Sequence, residues 1–285
     1  MKIGCNTVAF RKSSLEFALG RIVKAGYKYV EVEANMSWCD HARTDQDDPV
    51  KFREKILAAG LADVTCIGSH RELISEASAE EDIKHSLEFA AGAKVPVIAT
   101  GEGRMPEGMS IAEALAILKP KLERLVQTAE QCRVILAIEP HGSLSLSPGG
   151  LGKILALAPS PWLGVNFDTA NPHRGDYVGT TKKGFEWKLD EAARGDELAV
   201  LRPVAAKVRH VHWKDVTGRN AVILGQGEVK LKEELEIMVA AGYDGALSYE
   251  TEGWEEPDAS QKMIEASLGW TRKLLEEMGI RSDEA

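Results

Sequence analysis

The sequence predicts a protein of the α/β class, a single (β/α)8 barrel over residues 1–285, and three observations predict it. Eight short apolar runs alternate with longer segments of helical period, and no linker interrupts them. A glycine recurs where a helical segment gives way to an apolar run, in Ala25-Gly26-Tyr27, Ala59-Gly60-Leu61 and Ala241-Gly242-Tyr243. Glycine supplies the left-handed conformation that ends a helix, and its recurrence points to stacked α/β units. The last four runs, VILAIE, LGVNFD, VRHVH and GALSYE, close on acidic or imidazole side chains: Glu139, Asp168, His212 and Glu250.

In chain order the runs place strands at about 2–7, 29–34, 64–69, 95–100, 133–139, 163–168, 208–213 and 245–250. Runs such as VILAI are apolar throughout, as expected when helices cover one face of a strand and the barrel interior covers the other. Helices fill the intervals. Three of their starts carry Ser-x-x-Glu, a pattern that satisfies orphan amide donors: Ser13 with Glu16, Ser78 with Glu81, and Ser110 with Glu113. The segment GQGEV, residues 225–229, lacks the strand-then-helix context of a dinucleotide fingerprint and reads as a tight turn before the seventh helix. Residues 281–285 read as a frayed tail.

Composition narrows the class of function. With 44% hydrophobic and 28% charged residues the chain is an ordinary globular one, and no apolar run is long enough to cross a bilayer, so no membrane partner is expected. The start, MKIGCNTVAF, carries no charged leader with a long apolar core, which sets the expectation of a cytoplasmic protein. Cys5, Cys39, Cys66 and Cys132 are far apart and form no CxxC pair, so buried free thiols are expected. A net charge of −9 without a lysine and arginine cluster disfavours a nucleic-acid partner, because phosphate neutralisation supplies most of that affinity.

Residues two apart on a strand share a face. Turning Glu139, Asp168, His212 and Glu250 inward sets Ala137, Asn166, His210 and Ser248 one layer below, small or polar groups that leave room for supporting hydrogen bonds. A lone glutamate ending a strand ordinarily meets water or caps a helix, and a lone strand histidine is ordinarily a bonded core residue. Four such residues at the same end of the last four strands point instead to one shared cation at the barrel mouth. Three carboxylates and one imidazole suit Mn²⁺, Mg²⁺ or Co²⁺ and can accept Zn²⁺. Spacing alone leaves open which of His210 and His212, and which of Glu250 and Glu252, stands at the rim. His70 in CIGSH, His141 two residues after Glu139, and Lys214 and Arg219 after the histidine run are further candidates, since ligands bind on loops at the C-terminal ends of barrel strands.

The motifs AIEPHG, NFDTAN, HVHWKD, ILGQGEV and GYDGALSYET, with AGYKYVEVE near the start, closely resemble the xylose isomerase-like TIM-barrel superfamily, the sugar phosphate isomerase/epimerase and AP endonuclease 2 group. The likeness spans nearly the whole chain. In such relatives the glutamate of the fifth strand, the aspartate of DTxH, the histidine before xKD and the glutamate of the eighth strand bind one divalent ion. The resemblance therefore implies Glu139, Asp168, His212 and Glu250 as metal ligands, which resolves both open choices. It implies that Glu139 and Glu250 double as acid and base in an isomerase or epimerase of a small ketose, polyol or keto-inositol, working through a metal-stabilised enediolate. If the same intermediate expelled a β-hydroxyl, the chain would be a lyase on a keto-cyclitol or modified sugar. Trp38 and Trp254 could then pack against a sugar face.

The chain also departs from these relatives. Their DTxH reads Asp168-Thr169-Ala170-Asn171, so Asn171 replaces a substrate-contacting histidine, and His173 follows two residues on. Ser145 stands where some epimerases carry an acidic residue. Both changes argue against a simple ketose 3-epimerase. An AP endonuclease would need three zinc ions and further ligands on earlier strands, yet the fourth strand runs into ATGEGR without a histidine. Barrels of this kind often pair, so a homodimer is expected.

Overall fold

A computed structural model describes residues 1–36, 38–175 and 195–282, so residues 283–285 of the expected tail lie outside the described part. The barrel strands are β1 (Lys2–Asn6), β2 (Tyr29–Glu33), β3 (Asp63–Gly68), β4 (Val97–Thr100), β5 (Ile135–Ile138), β6 (Leu163–Asp168) and β7 (Val208–Trp213). A short antiparallel hairpin follows, β8 (Asp215–Thr217) with β9 (Asn220–Val222), and β10 (Ala246–Tyr249) is the eighth barrel strand. The eight pair in parallel and close in the order β1-β10-β7-β6-β5-β4-β3-β2. This is the (β/α)8 barrel that the sequence predicts, each strand ending within two residues of its expected bounds.

The helices are α1 (Leu15–Ala25), α2 (Pro49–Ala58), α3 (Ala79–Ala93), α4 (Ile111–Cys132), α5 (Gly150–Leu155), α6 (Asn171–Arg174), α7 (Glu197–Leu201), α8 (Leu231–Ala240) and α9 (Pro257–Glu277). The three helix-ending glycines adopt the expected left-handed conformation, with φ of 96° at Gly26, 100° at Gly60 and 91° at Gly242. Of the three expected capping boxes one forms: Ser110 accepts from the Glu113 amide and Glu113 reaches back to Ser110. At α1 the cap is Ser14, because the Ser13 amide is spent on Phe10 O in closing the preceding 3-10 turn. Ser78 caps nothing with its side chain, since its backbone is already helical (φ −80°, ψ −14°). A cap needs an extended residue to aim its hydroxyl at the first free amides.

The main core lies between the strands and the helices and includes Ile3, Val30, Ile67, Leu136, Phe167, Val211 and Leu247. Cys66, Val97, Ala99 and Ala137 make a separate cluster of mostly small side chains. Cys66 lies close enough to Glu31 and His212 to feel their charge, which places this cluster beneath a polar layer. All four cysteines are free thiols, and three of them are buried. Among the described residues no helix is long and apolar enough to cross a membrane.

Candidate metal centre

Four strand ends bring the expected ligands together. Glu139 follows β5 directly, Asp168 ends β6, His212 is the next-to-last residue of β7, and Glu250 follows β10 directly. The β6–β7 register sets Asp168 beside His212, and the β7–β10 register sets His212 beside Ser248, one layer below Glu250. His212 Nδ1 lies 3.3 Å from Glu139 Oε2, 3.2 Å from Glu250 Oε2 and 3.9 Å from Asp168 Oδ2. Three of these atoms, His212 Nδ1, Asp168 Oδ2 and Glu250 Oε2, are buried and have no hydrogen-bond partner. Three carboxylates and an imidazole nitrogen that converge in a buried space, without hydrogen bonds to satisfy these three atoms, form the kind of donor set that a cation takes. Glu139, Asp168 and His212 can by themselves offer ligand atoms within 4.8 Å of one another. The donor set thus fits a divalent ion.

The layer below holds these groups in place. Glu31 accepts from His212 Nε2 at 2.8 Å, and Asn166 Nδ2 lies 3.5 Å from Glu139 Oε2. His210 Nδ1 lies 2.9 Å from Asn166 Oδ1, and its Nε2 lies 3.2 Å from Thr65 Oγ1. His210 is therefore the lower, supporting histidine and His212 the upper one, as the resemblance implied. Burial lowers His210 to about 4, which keeps it neutral. Burial works against charge on His212 too, but Glu250, Glu31 and Glu139 outweigh it and hold the imidazole well above its ordinary value. For Glu139, burial is outweighed by His212 and His70, which hold the carboxylate well below its ordinary value.

A polar web closes the side toward the hairpin. Asp168 Oδ1 accepts from the amides of Ala170 and Asn171 at 2.8 and 2.7 Å, the first backbone donors of the short α6 turn. Burial pushes the Asp168 carboxyl up, partly offset by Lys214. The Lys214 ammonium, buried at the end of β7, lies 2.9 Å from Asp168 Oδ2 and 2.7 Å from Glu250 Oε2. Lys214 thus holds both carboxylate oxygens by charge. Asn171 Nδ2 donates to Glu139 Oε1 at 3.0 Å and Asn171 Oδ1 accepts from Arg174 at 2.6 Å, and Arg174 also donates to Glu252 at 2.8 Å. Asn171, at the position where the resemblance expects a histidine, thus positions Glu139.

Toward β3, His70 Nδ1 lies 3.5 Å from Glu139 Oε2 and its Nε2 lies 3.8 Å from Glu33 Oε1. Burial lowers the charge on His70, but Glu139 and Glu33 outweigh it and raise it to about 9. The His70 and His141 rings meet edge to face with centroids 6.0 Å apart. The loop bearing His141 is pinned by Glu102, whose Oε1 accepts from the Leu144 and Ser145 amides at 2.9 and 2.8 Å. A Cβ at Gly68 would run into the Glu33 carboxylate and push it from its place beside His70.

Two candidates stand apart from this cluster. His173 turns toward Glu197 (3.2 Å) and Glu228 (3.6 Å), and Arg219 is exposed in the hairpin turn. Trp38 and Trp254, 39% and 61% exposed, take the guanidinium of Arg11 between them at 4.3 and 3.9 Å, so one face of each indole is already covered. Sequence reasoning passed over Glu31, Glu33, Glu102 and Arg174, and weighed Glu252 only as an alternative to Glu250. The alternation YVEVE was the signal for the first two, since Glu31 and Glu33 share the face that closure turns inward.

Comparison with known proteins places the fold in a family. The profile of the xylose isomerase-like TIM barrel family matches residues 19–274, and the chain belongs to that family. An uncharacterized protein of Methanocaldococcus jannaschii is 22% identical, over 94% of this chain and 89% of its own length. Among solved structures, a D-tagatose 3-epimerase-like protein superposes with a TM-score of 0.72 at 19% identity, covering 96% of this chain and 99% of the other. The IOLI protein, solved with a bound zinc atom, superposes with a TM-score of 0.73 at 15% identity, covering 97% and 99%.

Proposed function

We propose that the chain is a divalent-metal-dependent isomerase or epimerase of a small ketose, polyol or keto-inositol, with Glu139, Asp168, His212 and Glu250 as metal ligands and Glu139 and Glu250 as acid and base. The observation that carries this reading is the convergence of His212 Nδ1, Asp168 Oδ2 and Glu250 Oε2, all buried, beside Glu139. The epimerase-like and zinc-bearing neighbours support it. A divalent ion held here by Glu139, Asp168, His212 and Glu250, whether Mn²⁺, Mg²⁺, Co²⁺ or Zn²⁺, would supply the charge that polarises a carbonyl and offsets the negative charge gained by its oxygen when the neighbouring carbon loses a proton.

The chain's own residues do the rest. Glu139, held as a carboxylate by His212 and His70, is ready to accept a carbon-bound proton. Asn171 fixes its Oε1 at 3.0 Å, which leaves Oε2, beside His212 and His70, as the oxygen turned toward the metal and substrate. Glu250, from the opposite flank of His212, would return a proton to the other face. Lys214, kept charged because Asp168 and Glu250 outweigh its burial, is placed to bond a developing oxyanion. His70 and His141 line the β3 and β5 flank, where they can bond substrate hydroxyls, and His173 and Arg219 are assigned to the outer contacts.

Deuterium exchange tests this. With Mn²⁺ in D₂O, a panel of ketoses and keto-inositols is followed by NMR, and the expected outcome is deuterium at the carbon beside the carbonyl without loss of water. Glu139→Gln and Glu250→Gln should each slow that exchange by about 10²–10⁴-fold. Exchange with loss of water would make the chain a lyase. Exchange undiminished in both variants would refute the assignment of acid and base.

A further inference from the structure

Glu31 is fully buried on β2, which neighbours β1 and β3, yet its side chain crosses the barrel interior to His212 on β7. An ionised carboxylate can only accept, so the hydrogen of this 2.8 Å contact sits on His212 Nε2. A nitrogen that carries a hydrogen cannot also accept from Asn166 Nδ2, which lies 3.0 Å away, so Asn166 gives its hydrogen to Glu139 instead. We propose that Glu31 is a positioning residue: by holding Nε2–H it fixes the tautomer and ring angle that present the Nδ1 lone pair of His212 to the space shared with Glu139, Asp168 and Glu250. The proposal rests on reading those four as a metal centre and names the residue that sets which imidazole nitrogen binds.

The geometry excludes the opposite tautomer. If Nε2 bore the lone pair, it would face a carboxylate oxygen at 2.8 Å with no hydrogen between them, while a hydrogen on Nδ1 would block the metal position. His210 Nδ1 stands 4.0 Å from the second oxygen, Glu31 Oε2, so the His212 contact is the short one this carboxylate makes to an imidazole.

The test is the binding of Co²⁺ alone by the full chain, read by calorimetry and by proton NMR. Glu31→Gln keeps an acceptor and loses the charge; Glu31→Met keeps the bulk and loses both. Co²⁺ affinity should fall in the order wild type, Glu31→Gln, Glu31→Met, by about 10–100-fold at the last. In Co²⁺-loaded wild type an exchangeable, strongly shifted proton line from His212 Nε2–H should persist in H₂O, move in Glu31→Gln, and be lost to rapid exchange in Glu31→Met. Glu234→Gln, a buried glutamate exchanged on α8, should leave both affinity and line as in wild type. An unchanged affinity and line in both Glu31 variants overturns the proposal. Equal weakening by the Glu234 variant overturns it as well. If wild type binds no Co²⁺, it is the metal-centre reading that fails.

Discussion

Glu234 shows what an unpaired acid costs in this fold. It lies fully buried on α8, and neither carboxylate oxygen has a hydrogen-bond partner. Burial, and then repulsion from Glu197, Asp168 and Asp215, raises it well above the ordinary value of 4.5, so the native protein keeps it protonated where the unfolded chain has released the proton. A group raised in the folded state contributes stability fully only below its unfolded pKa and loses it as pH rises. Glu234→Gln should therefore melt as wild type does near pH 4 and gain over it above pH 4.5, at about 1.4 kcal/mol per pH unit until the native group ionises. Thermal melts across pH check this, and parallel curves would contradict it. The four strand ends that carry the candidate ligands were legible because each closes an apolar run, while the choice of His212 over His210 and of Glu250 over Glu252 came from the resemblance. Glu31 and Glu33 were not, since alternation in YVEVE marks two faces without saying that the polar one faces inward. Arg174 gave no local signal, for its bond to Glu252 spans 78 residues of chain.

Elements follow local rules except where a neighbouring turn competes. The reciprocal bonds of Ser110 and Glu113 start α4, while Ser78 makes no side-chain cap at α3. Ser110→Ala should lower stability by about 1 kcal/mol and Ser78→Ala should leave it within about 0.5 kcal/mol, as chemical denaturation would show. Equal losses would mean that Ser-x-x-Glu predicts capping by itself. The strands were legible to within two residues because apolar runs are bounded by glycine and charge. The β8–β9 hairpin was missed, although Gly218 at φ +59° in its turn is a signal of the right kind. Its short strands carry too few apolar residues to stand out. Ser13 was misread for a related reason, as the 3-10 turn that takes its amide has no pattern of its own.

At the scale of the molecule, closure turns separate strand ends into one site. Pairing of β1 with β10 completes the ring and lets a β2 glutamate touch a β7 histidine 181 positions away. Every candidate ligand stands at the C-terminal end of its strand, where loops rather than core packing set the chemistry. The barrel was legible because eight alternations leave few other ways to bury eight strands. What each loop recognises was not, because loop contacts such as Arg11 between Trp38 and Trp254 join segments with no shared period. The account stands or falls on one ion held by four side chains. Crystals grown with Mn²⁺ and measured near the manganese absorption edge should show one anomalous peak per chain, about 2.0–2.4 Å from His212 Nδ1 and from oxygens of Glu139, Asp168 and Glu250. A map with no peak there, or with a peak held by other residues, would contradict it.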